Sequence, residues 1–172
     1  KALSVATCND IISLAAGNYN SGGLDDNLSV NTSSIGGLTI RGAGMGQTIF
    51  EKYATDVKFM TITGSGSITI EDLTIKDYDW TSTSGSYKNG VGLELTTSGT
   101  VTVNRVHFDN IDMDRGDFDG GAIYTASGTR VIDRCKFTNC SATSSSSSSR
   151  YALGSALYVN SGSVTVTNSL FY

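Results

Sequence analysis

The densest set of candidate ligands in this chain is the run Asp109-Asn-Ile-Asp112-Met-Asp114-Arg-Gly-Asp117-Phe-Asp119. A calcium ion takes about six to eight oxygens, several of them from carboxylates. Asp77 and Asp79 would join Asp109, Asp112 and Asp114 if the fold stacks the two segments. The competing reading is a solvated acidic turn, because Asp is an ordinary turn residue. Tyr78, Trp80 and Tyr87 share one otherwise polar stretch. Exposed rings there would stack on sugar or on a protein partner; alternatively Trp80 folds back over the wall of the domain. Arg105 and Arg134 occupy equivalent places in related segments, each near a carboxylate, Asp72 or Asp133. The lone His107 alternates with Val106 and Phe108, which points it to solvent. No Ser-His-Asp set and no His-rich metal pattern appears. Arg115-Gly-Asp117 matches an integrin-binding tripeptide, but three residues recur too readily by chance to carry an argument.

Composition narrows the field. The chain has 172 residues, of which 24 are Ser and 21 are Thr; 20 are Gly, none is Pro, and 16% are charged. This is one domain, 1–172, large enough to bury a core. A net charge of −4 and a pI near 4.8 argue against nucleic acid as a partner, whose binding rests on basic patches. No apolar run approaches the ~20 residues of a membrane span. Hydroxyl-rich, charge-poor composition suits a secreted or cell-surface protein. Three sequons, beginning at Asn27, Asn31 and Asn139, are glycosylation candidates. Of three cysteines, Cys135 falls on an apolar strand position and reads as a buried thiol.

Internal repetition sets the elements that must hold these residues. Ile68–Ile75, Val101–Phe108, Arg130–Phe137 and Val164–Phe171 align without gaps, and an earlier copy begins at Leu38. Each alternates with period two, as strands with one buried face do. A second block recurs between them: Val57–Ile62, Gly90–Leu95, Gly121–Thr125 and Ser155–Val159. Steps of about thirty residues with several short strands predict one coil of a parallel β-helix per repeat. Stacking then makes ladders of Ile70, Val103, Ile132 and Val166, and of Phe108, Phe137 and Phe171. Residues 1–37 are expected to form a cap and first coil, and 38–172 the repeats, with long loops at 76–89, 109–119 and 138–153. About five coils are expected.

On these motifs the chain resembles right-handed, single-stranded parallel β-helix proteins of the pectin-lyase-like superfamily. The carrying segments are Asn9–Tyr19 and Leu38–Ile49. Phe108-Asp-Asn110 with Gly120-Gly-Ala-Ile123, and Phe137-Thr-Asn139 with Gly154-Ser-Ala-Leu157, resemble the repeats of adhesin-like and polymorphic outer-membrane surface proteins. Phe and Asn stand two residues apart here against three in the usual motif. The resemblance implies an all-β solenoid and leaves activity open, since the fold serves lyases, hydrolases, adhesins and stalks. A lyase of this superfamily would bring calcium and a basic catalyst, for which Arg105 and Arg134 are the candidates.

The expected function is therefore an extracellular structural or adhesive solenoid without a catalytic residue of its own. Ser169, Leu170, Phe171 and Tyr172 are expected to form an open stacking end, so that copies associate head to tail into a filament, or the chain is part of a larger surface protein. The alternative is a polysaccharide lyase-like enzyme or a module binding surface carbohydrate.

Overall fold

The computed structural model describes residues 2–20, 26–81, 88–114, 118–143 and 152–172. Among them every regular element is a strand. A first passage holds β1 (Ile11–Ser13), β2 (Gly17–Tyr19) and β3 (Leu28–Asn31). A second holds β4 (Leu38–Arg41), β5 (Thr48–Glu51) and β6 (Met60–Thr63). The third comprises β7 (Ile68–Lys76), β8 (Asp79–Trp80), β9 (Lys88–Asn89) and β10 (Leu93–Leu95). The fourth comprises β11 (Thr100–Asp109), β12 (Asp112–Asp114), β13 (Phe118–Asp119) and β14 (Ile123–Thr125). Then come β15 (Thr129–Asp133), β16 (Lys136–Thr138), β17 (Ser141–Thr143), β18 (Ala152–Leu153) and β19 (Leu157–Val159), and last β20 (Ser163–Thr167) and β21 (Leu170–Phe171).

Each strand pairs in parallel with its counterpart one passage away. The main sheet runs β1-β4-β7-β11-β15-β20, a second runs β19-β14-β10-β6-β3, and β8, β12 and β17 and then β9, β13 and β18 build two three-stranded sheets. The result is a parallel β-solenoid of about four turns, close to the five coils expected. Among the described residues the first, second and last passages lack strands in the two smaller sheets, so only the third, fourth and fifth carry all four sheets. Those smaller sheets also correct the expectation of long loops at 76–89, 109–119 and 138–153. Their strands are two or three residues long, too short for alternation to reveal, and they are ordered by stacking on their neighbours.

Register makes the ladders. Val103 pairs with Ile70 and Ile132, and Ile132 with Val166. In β7, Ile68, Ile70, Leu73 and Ile75 are buried, as are Glu71 and Thr74, while Thr69 and Asp72 are half-buried. The strand turns a corner at Asp72, whose φ is 60°, which restarts the alternation. Like rings stack on like: Phe108 on Phe137 at 5.0 Å and Phe137 on Phe171 at 4.7 Å, with interplanar angles of 3° and 4°. Leu3 and Ala6 pack against the core ahead of the first strands. Phe137 sits between two rings and is 1% exposed, so Phe137→Ala should cost about 3–5 kcal/mol. Urea unfolding would read this as a lower midpoint at unchanged slope.

Candidate functional site

Two corners of the main sheet gather ionisable groups into hydrogen-bonded sets. At the first, Asp72, Arg105, Arg134 and Asn168 occupy equivalent positions with φ of 60°, 52°, 53° and 50°. A left-handed residue other than Gly costs about 1–2 kcal/mol, least for Asn and Asp. Two arginines there need compensation. Arg105 finds it by a bidentate pair, Nε to Asp72 Oδ1 at 2.5 Å and Nη2 to Asp72 Oδ2 at 2.7 Å, and its Nη2 also reaches Glu71 at 3.3 Å. Glu71 in turn accepts Arg41 Nε at 2.6 Å. The hydrogen bond from Arg105 holds the Asp72 carboxyl below its ordinary value, and the same bond raises the guanidinium. Arg134, more exposed, donates Nε to the adjacent Asp133 at 2.8 Å. Asp133 also accepts Thr167 Oγ1 and Asn168 Nδ2, both at 2.8 Å. The two arginines are thus paired with the carboxylates beside them, as the sequence allowed.

The second corner holds Asp77, Asn110 and Asn139, again left-handed. Asn110 Nδ2 donates to Asp77 Oδ1 at 2.7 Å, and Lys76 Nζ lies 3.1 Å from Asp77 Oδ2. Burial opposes the charge on Asp77, but these two donors outweigh it and its carboxyl lies below the usual value. Asp109 Oδ1 accepts Thr138 Oγ1 at 2.5 Å, and His107 Nε2 lies 2.7 Å from that same hydroxyl. The hydroxyl has one proton and gives it to the carboxylate, so His107 must donate from Nε2. Burial pulls the His107 pKa down.

Of the five expected calcium ligands, the four whose side chains are described do not group at one point. Asp79 pairs with Lys52 and Asp112 accepts Ser141 Oγ, while Asp77 and Asp109 are engaged as above. Asp114 belongs to β12, but its side chain lies outside the described residues. Among the described residues no three His, Cys, Asp or Glu side chains are grouped to hold a metal ion. Asp79 and Asp112 are direct neighbours in register, yet each is answered by a cation or hydroxyl of the flanking layer. Among the described residues Asp79 Oδ1 is buried without a hydrogen-bond partner; the other described carboxylates of this set are each engaged by a neighbouring donor.

The aromatic platform is also corrected. The left-handed residue at Asp77 turns the chain so that Tyr78 points into the lumen, fully buried, with its ring edge-on to Phe59 at 5.9 Å. Trp80 packs partly buried against the core. Tyr78 therefore presents no face for a sugar; Tyr87 lies outside the described residues, as do Arg115–Asp117 and Ser144–Ser149. Asn27, Asn31 and Asn139 are all exposed. Cys8, Cys135 and Cys140 are free thiols, and burial raises the latter two to about 11. Cys135 is buried, as expected.

One residue went unnoticed in the sequence. Arg130, 1% exposed, stands in the lumen at the rung otherwise held by Leu38, Ile68, Val101 and Val164. Its alignment with Val101 was the available signal. No family model matches the chain, and neither does any curated protein or solved structure.

The Asp133 carboxyl is lowered from 3.8 to about 2 by hydrogen bonds from Asn168, Thr167 and Arg134. Its contribution to stability is full above about pH 4 and is lost as the pH falls toward 2. In thermal melts across that window Asp133→Asn should lose less Tm than the parent chain. Equal losses would show that this carboxylate does not set the acid response.

Proposed function

We propose that this chain is an extracellular structural or adhesive β-solenoid that associates with further copies through the edges of its outer layers. The observation that carries the reading is a contrast within single ladders. Val103, Ile132 and Phe137 are 1% exposed, whereas their continuations Val166 and Phe171 are 39% and 49% exposed. Leu170 and Tyr172 stand exposed beside them. A parallel edge with an apolar inner row is a template for another strand layer.

The opposite end offers the matching surface. Ile12 and Tyr19 are partly buried members of the same ladders, Ile12 pairing with Ile40 and Tyr19 stacking on Phe50 at 4.9 Å. A second copy seated with β1 and β2 on β20 and β21 continues both the aliphatic and the aromatic row. The paired charges of the two corners favour a structural role too, because their donors and acceptors are spent between layers. The exposed sequons and the hydroxyl-rich composition support an extracellular setting.

Sedimentation velocity beside electron microscopy tests this on the purified chain. The expected result is concentration-dependent association into rods with a repeat of roughly 25–30 Å, the height of the stacked layers. Val166→Lys with Phe171→Lys should leave monomers that keep the far-UV signature of the fold. A parent chain that stays monomeric at every concentration would overturn the proposal.

A further inference from the structure

Among the described residues Arg130 has no carboxylate partner, yet all five of its N–H groups are used. Nε donates to Thr125 Oγ1 at 2.9 Å; Nη1 donates to Gly99 O at 2.9 Å and Thr129 O at 3.0 Å; Nη2 donates to Thr97 O at 2.8 Å and Leu95 O at 3.3 Å. Three of these five acceptors, the carbonyls of Leu95, Thr97 and Gly99, belong to the link that joins the second sheet to the main sheet in the passage above.

The lengths of those links explain the need. Residues 63–67 join Ile62 to Ile68, and 96–100 join Leu95 to Val101, with Ile62 level with Leu95 and Ile68 level with Val101. These equal links satisfy one another: Ile62 O accepts Thr96 N at 2.9 Å, and Gly64 O accepts Ser98 N at 3.0 Å. The next link, 126–129, joins Thr125 to Arg130 and is one residue shorter. Its backbone reaches Leu95 O from Ala126 N, and Gly99 O only at 3.4 Å from Thr129 N; among the described residues no backbone N–H reaches Thr97 O. Thr97 is fully buried, so water does not take the place of the missing donor. Ser127 Oγ and Arg130 do, at 3.0 Å and 2.8 Å. The following link, 160–163, is again of equal length to the one before it. There Gly128 O accepts Ser163 N at 2.9 Å, and the rung returns to Val164. At an earlier change of length, between 31–37 and 63–67, Ser33 and Ser34 stand exposed to water, and the buried Thr32 donates its N–H and its hydroxyl to Thr63 O.

We propose that Arg130 is the register-determining residue of this solenoid: its guanidinium fits only where a longer link overlies a shorter one, and so fixes which coil stacks on which. The other rungs of the ladder are apolar and interchangeable, so by themselves they permit a coil to seat one layer out of place. A buried cation displaced by one layer would lose its acceptors, and the orphaned Thr97 carbonyl would lose its donor. Gly128 clears the path, since a Cβ there would lie 2.8 Å from Arg130 Nη1.

The test uses thermal melts and two-dimensional amide NMR of the full chain. Arg130→Met supplies an apolar side chain of similar reach. The expected result is a Tm lower by roughly 10 °C and split or broadened amide signals over 95–99 and 126–134. A second pair of chains separates register from simple packing. Deleting Thr97 moves the change of length up one passage, to the rung of Val101. With Arg130→Val, that deletion should melt low and give multiple signals; adding Val101→Arg should restore a single set and most of the Tm. The proposal is overturned if Arg130→Met melts at or above the parent with one set of signals. It is equally overturned if the two deletion chains melt together.

Discussion

Parallel in-register stacking places each side chain about 4.8 Å from the equivalent side chain of the next layer, and the rest of this structure answers to that spacing. Apolar rows gain from it, as the stacked Phe108, Phe137 and Phe171 rings show. Charged rows do not, because a ladder of one sign is repulsive. The outward row Arg41, Glu71, Asn104, Asp133 solves this by changing sign or dropping to neutral at each step. The Arg105 and Arg134 pair solves it sideways, each guanidinium taking the carboxylate beside it. Asp79 and Asp112 sit between Lys52 and Ser141. A charge spent in this way strengthens the contact between layers and is withdrawn from any converging site.

The same constraint explains what was legible in the sequence. The rungs Ile70, Val103, Ile132 and Val166 could be named because alternation and register are both simple there. The inward turn of Tyr78 could not, because alternation does not run through a left-handed corner. Asp77, Asn110 and Asn139 were the available sign, being the residue types that accept positive φ most readily. Read as hinges, they would have placed Tyr78, Ile111 and Cys140 together on the inside. The acidic run around Asp109 misled for a related reason: carboxylates close in sequence are separated by the same corner and paired with different layers. The short strands β8, β9, β12, β13, β17 and β18 carry too few residues to show a period at all. They exist because the longer strands beside them fix the height at which each passage returns.

The solenoid treats changes of length differently on its different sides. Between the third and fourth sheets the chain runs through 81–87, 115–117 and 144–151, that is seven, three and eight residues. Between the second sheet and the main sheet the links run to seven, five, five, four and four residues, and the single residue lost after 96–100, inside the wall, is met by a buried guanidinium with five bonds. A backbone carbonyl that reaches water can lose its neighbour at little cost, whereas one sealed in the lumen must be answered by the protein. Insertions can therefore accumulate on one side of this fold while the other keeps step. The register that keeps the coils in line is set on the wall where Arg130 answers the buried carbonyl of Thr97.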